Sequence, residues 1–257
     1  MSNKFADKPV AFLAVNSGNP RAKVASYART NEVPWPVIVD TDREFEKECG
    51  LKTKVSLKNI YQAVLVRADG SHGRVAMKQM AERIEEELED AKWSMNPDDV
   101  PPELKTAWRA AEFCNYDLAA KGIKQGLKSR NSELKEAATR LEANVLKRLK
   151  DQSNDAFALA RNGEYWAAYQ DVVKLCKTFG DFELPNRLIS ARKTLSKKPE
   201  VKAELAATKK LSLAIKLANS GNKRKTAAAK KHLTAIVDDF PETEAAKRAQ
   251  TILSKSE

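Results

Sequence analysis

The sequence predicts an α+β protein in two parts: a short α/β segment over residues 1–93 and an all-α array of helical hairpins over 103–257, joined by a linker over 94–102. Three observations carry this. The first third alternates short apolar runs with helical patterns. Asn96-Pro-Asp-Asp-Val-Pro-Pro102 then places three prolines in seven residues, fixing φ and removing amide donors. Beyond it, apolar residues recur at helical spacing with few interruptions.

Taken in order, Val10-Ala-Phe-Leu-Ala-Val-Asn16 is nearly continuously apolar, as expected of a strand buried on both faces. Gly18-Asn19-Pro20 breaks it, and Pro20 suits the first turn of a helix over 21–31. Pro34-Trp35-Pro36 forbids helix and leads into a strand over 37–40. Asp42 can cap a short helix through Glu48, closed by Gly50. A strand over 61–67 follows. Asp69-Gly70 supports positive φ in a hairpin turn, with a return strand over 73–76. An acidic helix over 80–93 places Ile84 and Leu88 on one face.

In the second part, Leu134, Ala138, Leu141, Val145 and Leu149 form one apolar stripe. Asn162-Gly163 stops that helix and 164–179 resumes the pattern. Helices are expected over 201–219, 226–240 and 242–253, punctuated by Gly221 and Pro241. Leu211, Leu213, Ile215 and Leu217 surround their helix, which predicts packing on more than one side. Tyr116-Asp-Leu-Ala-Ala120 and Tyr165-Trp-Ala-Ala-Tyr169 each set an aromatic beside small residues that permit close helix approach. Trp108, Tyr116, Tyr165 and Trp166 read as core. The spacing is irregular, so the array is degenerate. Residues 233–249 resemble one tetratricopeptide-type repeat, and the remainder resembles that family more loosely.

Charge is unevenly placed. The net charge is +11, yet residues 1–93 hold 15 Lys/Arg against 14 Asp/Glu. Residues 192–231 hold 13 basic residues and two acids, Glu200 and Glu204. Lys197, Lys198, Lys209, Lys210, Lys223, Arg224 and Lys225 are the candidate anion-contacting face. Counterion release there would drive weak, sequence-blind binding of an anionic polymer. The stretch has no aromatic residue to stack bases, and a solvated lysine face is the commoner meaning. No apolar run approaches the roughly 20 residues that span a bilayer. Cys49, Cys114 and Cys176 are too far apart for a local Cys-x-x-Cys pair or zinc knuckle. His72 and His232 lack sequence-adjacent catalytic partners. Glu82, Glu85, Glu86, Glu87, Glu89 and Asp90 read as a solvated acidic face. No metal or cofactor motif is present.

Residues 9–92 resemble the later two-thirds of a thioredoxin-like domain of the redoxin and thiol–disulfide oxidoreductase type. The resemblance rests on the order of Val15-Asn16-Ser17, Trp35-Pro36-Val37-Ile38-Val39-Asp40, Cys49-Gly50-Leu51 and the strand ending in Asp69-Gly70. It implies a sheet whose central strand and Cys-x-x-Cys helix precede these pieces. Neither is present, since residues 3–8 correspond to the end of that helix. The strands over 10–16 and 61–67 would then each lack a neighbour, and open edges favour aggregation. The resemblance also implies a cis-proline loop, whose equivalent here is Ile60 and Tyr61. With no proline, a trans bond is expected, because a non-proline cis bond costs about 2.5–4 kcal/mol.

Cys49 is the one thiol in the α/β segment, and it falls near a helix C-terminus, where the dipole disfavours a thiolate. The expectation for this chain is therefore a non-catalytic thioredoxin-like protein whose helical region binds a protein partner. The alternative is a fragment of an oxidoreductase, or of a peroxiredoxin-like protein, serving cell redox homeostasis. Its redox cysteines and signal peptide would lie upstream of residue 1. The resemblance implies a periplasmic or other extracytoplasmic setting.

Overall fold

The computed structural model describes residues 2–33, 35–41, 43–51, 62–67, 69–218 and 222–254, without the side chains of Asn3, Glu44 and Lys223. The chain is mostly helical, with two small sheets among the described residues. It divides into two compact units, 1–97 and 98–257.

In the first unit, strand β1 (Ala14–Ser17) pairs in parallel with β2 (Val37–Asp40), with Val15 opposite Ile38. The ladder starts four residues later than the apolar run. The partner sets its length: β2 follows Pro36, whose carbonyl accepts the Ala14 N–H at 2.9 Å, so 10–13 find no continuing strand. Helix α1 (Arg21–Thr30) connects the two strands and buries Val24. Asp40 is buried at the end of β2. Its carboxylate accepts the Glu46 amide at 3.1 Å, anchoring α2 (Glu44–Glu48). The expected cap, Asp42, lies outside the described residues. Gly50, at φ 65°, follows α2 in the left-handed region, where a side chain would be strained.

Strands β3 (Ala63–Val66) and β4 (His72–Val75) form an antiparallel hairpin in which Val66 faces His72. The return strand begins one residue early. Arg67 donates its amide to the Ser71 carbonyl at 2.8 Å, and Asp69 Oδ1 accepts the Ser71 amide at 2.8 Å. Gly70 takes φ 85° there. Among the described residues β1 pairs only with β2, and β3 only with β4. Helix α3 (Met80–Glu87) buries Ile84 but ends well short of residue 93. Its last turn has no cation, and the run from Glu85 into Glu89 and Asp90 opposes the dipole at a C-terminus. Lys4–Glu85 and Arg67–Glu87, at 2.5 and 2.6 Å, tie its acidic face to the unit.

The second unit begins inside the expected linker. Val100 and Leu104 are buried, so the prolines there lead into packed structure rather than a free tether. Eight α-helices follow among the described residues: α4 (Lys105–Glu112), α5 (Tyr116–Leu127), α6 (Ser132–Arg161), α7 (Tyr165–Thr178), α8 (Asn186–Leu195), α9 (Pro199–Ala218), α10 (Lys223–Asp239) and α11 (Glu244–Ser254). From α4 to α8, and again from α9 to α11, each packs against the next, and α7 also touches α9. The two aromatic–small segments sit alike: Tyr116 opens α5 and Tyr165 opens α7. Asn115, Asn131 and Asn222 cap α5, α6 and α10 with side-chain oxygens, satisfying amides that have no intrahelical partner.

Close approach explains the glycine on α5. A Cβ at Gly126 would lie 2.7 Å from Ala138 Cβ of α6. The last three helices share a core of Leu211, Ala214, Leu233, Ile236, Ala245 and Ala249. Leu213, expected inside, is 47% exposed. It lies at the 3–4 spacing of Lys209 and Lys216, on the face of α9 turned from α10 and α11.

Candidate functional site

Cys49 is the C-cap residue of α2 and 8% exposed. Burial pushes its thiol pKa up, and the Glu48 and Asp40 carboxylates add to the rise. All three influences oppose the thiolate that disulfide exchange needs. The other two cysteines belong to the helical unit, and all three are free thiols. His72 Nε2 lies 3.1 Å from the Glu48 carbonyl, pinning the hairpin to the end of α2. Ile60 and Tyr61, the cis-proline-loop equivalent, lie outside the described residues. Burial also raises the Cys176 thiol, with Arg192 acting against it, whereas Cys114 is exposed. Native chain treated with a thiol reagent at neutral pH is expected to modify Cys114 first and Cys49 and Cys176 at least tenfold more slowly. Peptide mapping of the labelled cysteines checks the order.

The helical unit holds a polar cluster that the sequence did not announce. Arg148, on α6, donates to the Ala111 carbonyl at 2.8 Å and to Glu112 Oε2 at 3.2 Å. Tyr116 is buried, stacks on Phe179 at 4.2 Å and donates its hydroxyl to Cys114 Sγ at 3.6 Å. Burial and the bond to Cys114 push the phenol up to about 12, against the pull of Arg148. The native state therefore keeps a proton that an unfolded tyrosine loses near pH 10. The associated stability is fully present below pH 10 and is lost as pH rises towards 12. Wild type is expected to lose about 2–3 kcal/mol more than Tyr116→Phe across that window, measured by urea unfolding at stepped pH.

Two of the seven basic residues of the candidate face have partners of their own. Lys198 lies over the Tyr165 ring at 4.1 Å. Lys210 pairs with Asp239 at 2.7 Å and covers the Phe240 ring at 4.8 Å. Lys197, Lys209, Arg224 and Lys225 are exposed, but they are spread from the start of α9 to the start of α10. Lys197 lies in the turn before α9, and at 1.5 Å per residue Lys209 is about 15 Å along that helix from its first residue, Pro199. The Lys223 side chain is not described. No cluster of three or more metal-ligating side chains occurs among the described residues. No described helix is long and apolar enough to cross a membrane.

Two clefts open on the helical unit. One, of about 640 Å³, is lined by Asp98, Asp99, Glu133 and Arg140 beside Val100. Its arginine is already held by Glu136 at 2.8 Å. The other, of about 380 Å³, lies between α6 and α8. Phe157, Ala160 and Arg161 face it from α6, at i, i+3 and i+4. Arg187, Ser190, Ala191, Thr194 and Leu195 face it from α8 with the same periodicity. Its surface is chiefly apolar. Compared with known proteins, the chain matches no family model, no curated protein and no solved structure.

Proposed function

We propose that this chain is a non-catalytic protein in which a thioredoxin-like segment carries a helical region that binds other proteins. The observation that supports it best is the open apolar cleft between α6 and α8, on the unit that holds most of the buried core. Apolar surface left uncovered on a well-packed scaffold is what a binding site offers. The thiol chemistry points the same way. Cys49 is buried, lies at a helix C-terminus and feels the Glu48 and Asp40 carboxylates. The chain is expected to give no turnover above buffer in insulin-reduction and peroxidase assays. Measurable turnover that disappears in Cys49→Ser would overturn the non-catalytic reading.

The pairing of the strands favours a second reading. With β1 and β3 each joined to a single neighbour among the described residues, the α/β unit fits the later part of a thioredoxin-like domain whose central strand comes from elsewhere. On that reading the redox cysteines lie upstream of residue 1, in an oxidoreductase. An upstream coding sequence without a strand followed by a Cys-x-x-Cys helix would remove it.

A further inference from the structure

We infer that the α6/α8 cleft binds an acidic linear peptide that inserts one apolar side chain. This rests on the reading of the helical unit as a protein-binding region and specifies its ligand. The cleft has two chemical parts. Phe157, Ala160, Ala191 and Leu195 form an apolar floor, and about 380 Å³ accommodates one large side chain with part of its backbone. Arg161 and Arg187 stand at the rim. Both are exposed, and neither has a carboxylate partner among the described residues.

The disposition of Arg187 is specific. Its guanidinium carbon lies 4.4 Å from the centroid of the Phe157 ring. A guanidinium held over an aromatic face by cation–π attraction keeps its edge N–H groups available, and their fork matches a carboxylate. The first turn of α8 adds to the positive field. Pro185 offers no side-chain cap, and the turn contains no acid. The Ser190 and Thr194 hydroxyls, one turn apart along the cleft, can bond a peptide backbone. An apolar floor under two unpaired arginines therefore complements a Phe or Leu flanked by Asp or Glu. A nucleic acid would find phosphate contacts here but little to stack a base on, because Arg187 already occupies one face of the aromatic ring that lines the cleft.

The test is selection of a displayed random nonapeptide library on the full chain. Selected peptides are then synthesised with a fluorescein label and measured by fluorescence polarisation. Peptides pairing Phe or Leu with Asp or Glu are expected to be enriched and to bind with Kd on the order of 10 μM. Arg161→Gln and Arg187→Gln should each weaken binding about fivefold to tenfold, with the double variant weaker still. Phe157→Leu should weaken it without altering charge. Glutamine keeps helix propensity, so the exposed arginine variants should fold, which circular dichroism checks. Lys121→Gln/Lys124→Gln, at exposed positions of α5 away from the cleft, is the control and should change little. Enriched peptides without acids, or binding indifferent to both arginines, would overturn the inference while leaving a peptide-binding region in place. Equal loss in the lysine control would reduce it to nonspecific charge attraction and overturn it too. A Glu-Phe dipeptide amide binding as tightly as the full peptide would show a small-ligand pocket instead. Failure to enrich any peptide would count against both the inference and the reading on which it rests.

Discussion

Phe179→Ala is expected to destabilise the helical unit by about 3–5 kcal/mol, the range for truncating a fully buried phenylalanine. Phe179 is 0% exposed and caps the C-terminus of α7. Its ring stacks on Tyr116, the first residue of α5, with 27° between the planes. The contact therefore joins two hairpins of the array, and truncation removes transfer energy and leaves a cavity beneath the Tyr116 ring. Phe179→Leu keeps most of the volume and should cost about 1–2 kcal/mol. Urea unfolding followed by far-ultraviolet circular dichroism reads mainly the helices and so reports this unit. The midpoint should fall with little change in slope. A loss below 1 kcal/mol for Phe179→Ala would mean that the two hairpins do not share a core through this ring.

The array was legible where apolar periodicity and caps agreed. The Leu134–Leu149 stripe predicted α6, and Asn162-Gly163 marked its end. Bounds for α8 were not legible. Only Leu188 and Leu195 are buried there, seven residues apart, so the helix presents a narrow apolar edge beside a cleft. The break between α4 and α5 was legible as a short polar interruption before Tyr116, but its conformation was not. It is made by Cys114 at φ 60°, a residue type without strong preference for the left-handed region. Exposure of Leu213 could not be read from composition, because a helix apolar all round looks buried until its neighbours are known. In the first unit the limits of β1 were set by β2, which no local pattern in residues 10–16 encodes.

The candidate site was legible only in part, for a similar reason. The basic stretch was visible as charge, but what becomes of each charge depends on distant partners. Lys210 meets Asp239 of α10, and Lys198 meets Tyr165 of α7. Arg161 and Arg187 are unremarkable in sequence. They become a pair because α6 and α8 line one cleft, which places Arg187 on the ring of Phe157 thirty positions earlier. The environment of Cys49 was better encoded. Its position after α2 and the adjacent Glu48 are local facts, and only the contribution of Asp40 required the fold.

Arg148→Met should cost the helical unit about 3 kcal/mol, near the lower end for breaking a buried ion pair by removing one partner. The Glu112 side chain is 7% exposed and that of Arg148 25%, so the carboxylate is the more deeply buried charge of the pair. The Ala111 carbonyl, in the last turn of α4, loses its side-chain donor in the same step and keeps the Cys114 amide at 3.2 Å. A carbonyl at a helix C-terminus has no intrahelical partner, which makes a cation there favourable both as a donor and against the dipole. Glu112→Gln keeps an acceptor for Arg148 and should cost only about 1 kcal/mol. In Arg148→Met/Glu112→Leu both charges are gone, and the double variant should be more stable than Arg148→Met alone. The cycle separates two accounts of this cluster. A positive coupling of 1 kcal/mol or more identifies the pair as a latch between α4 and α6. Additive losses would instead place the stabilisation in the packing of the Arg148 stem, and the geometry of the pair would then be a consequence of the fold rather than one of its supports.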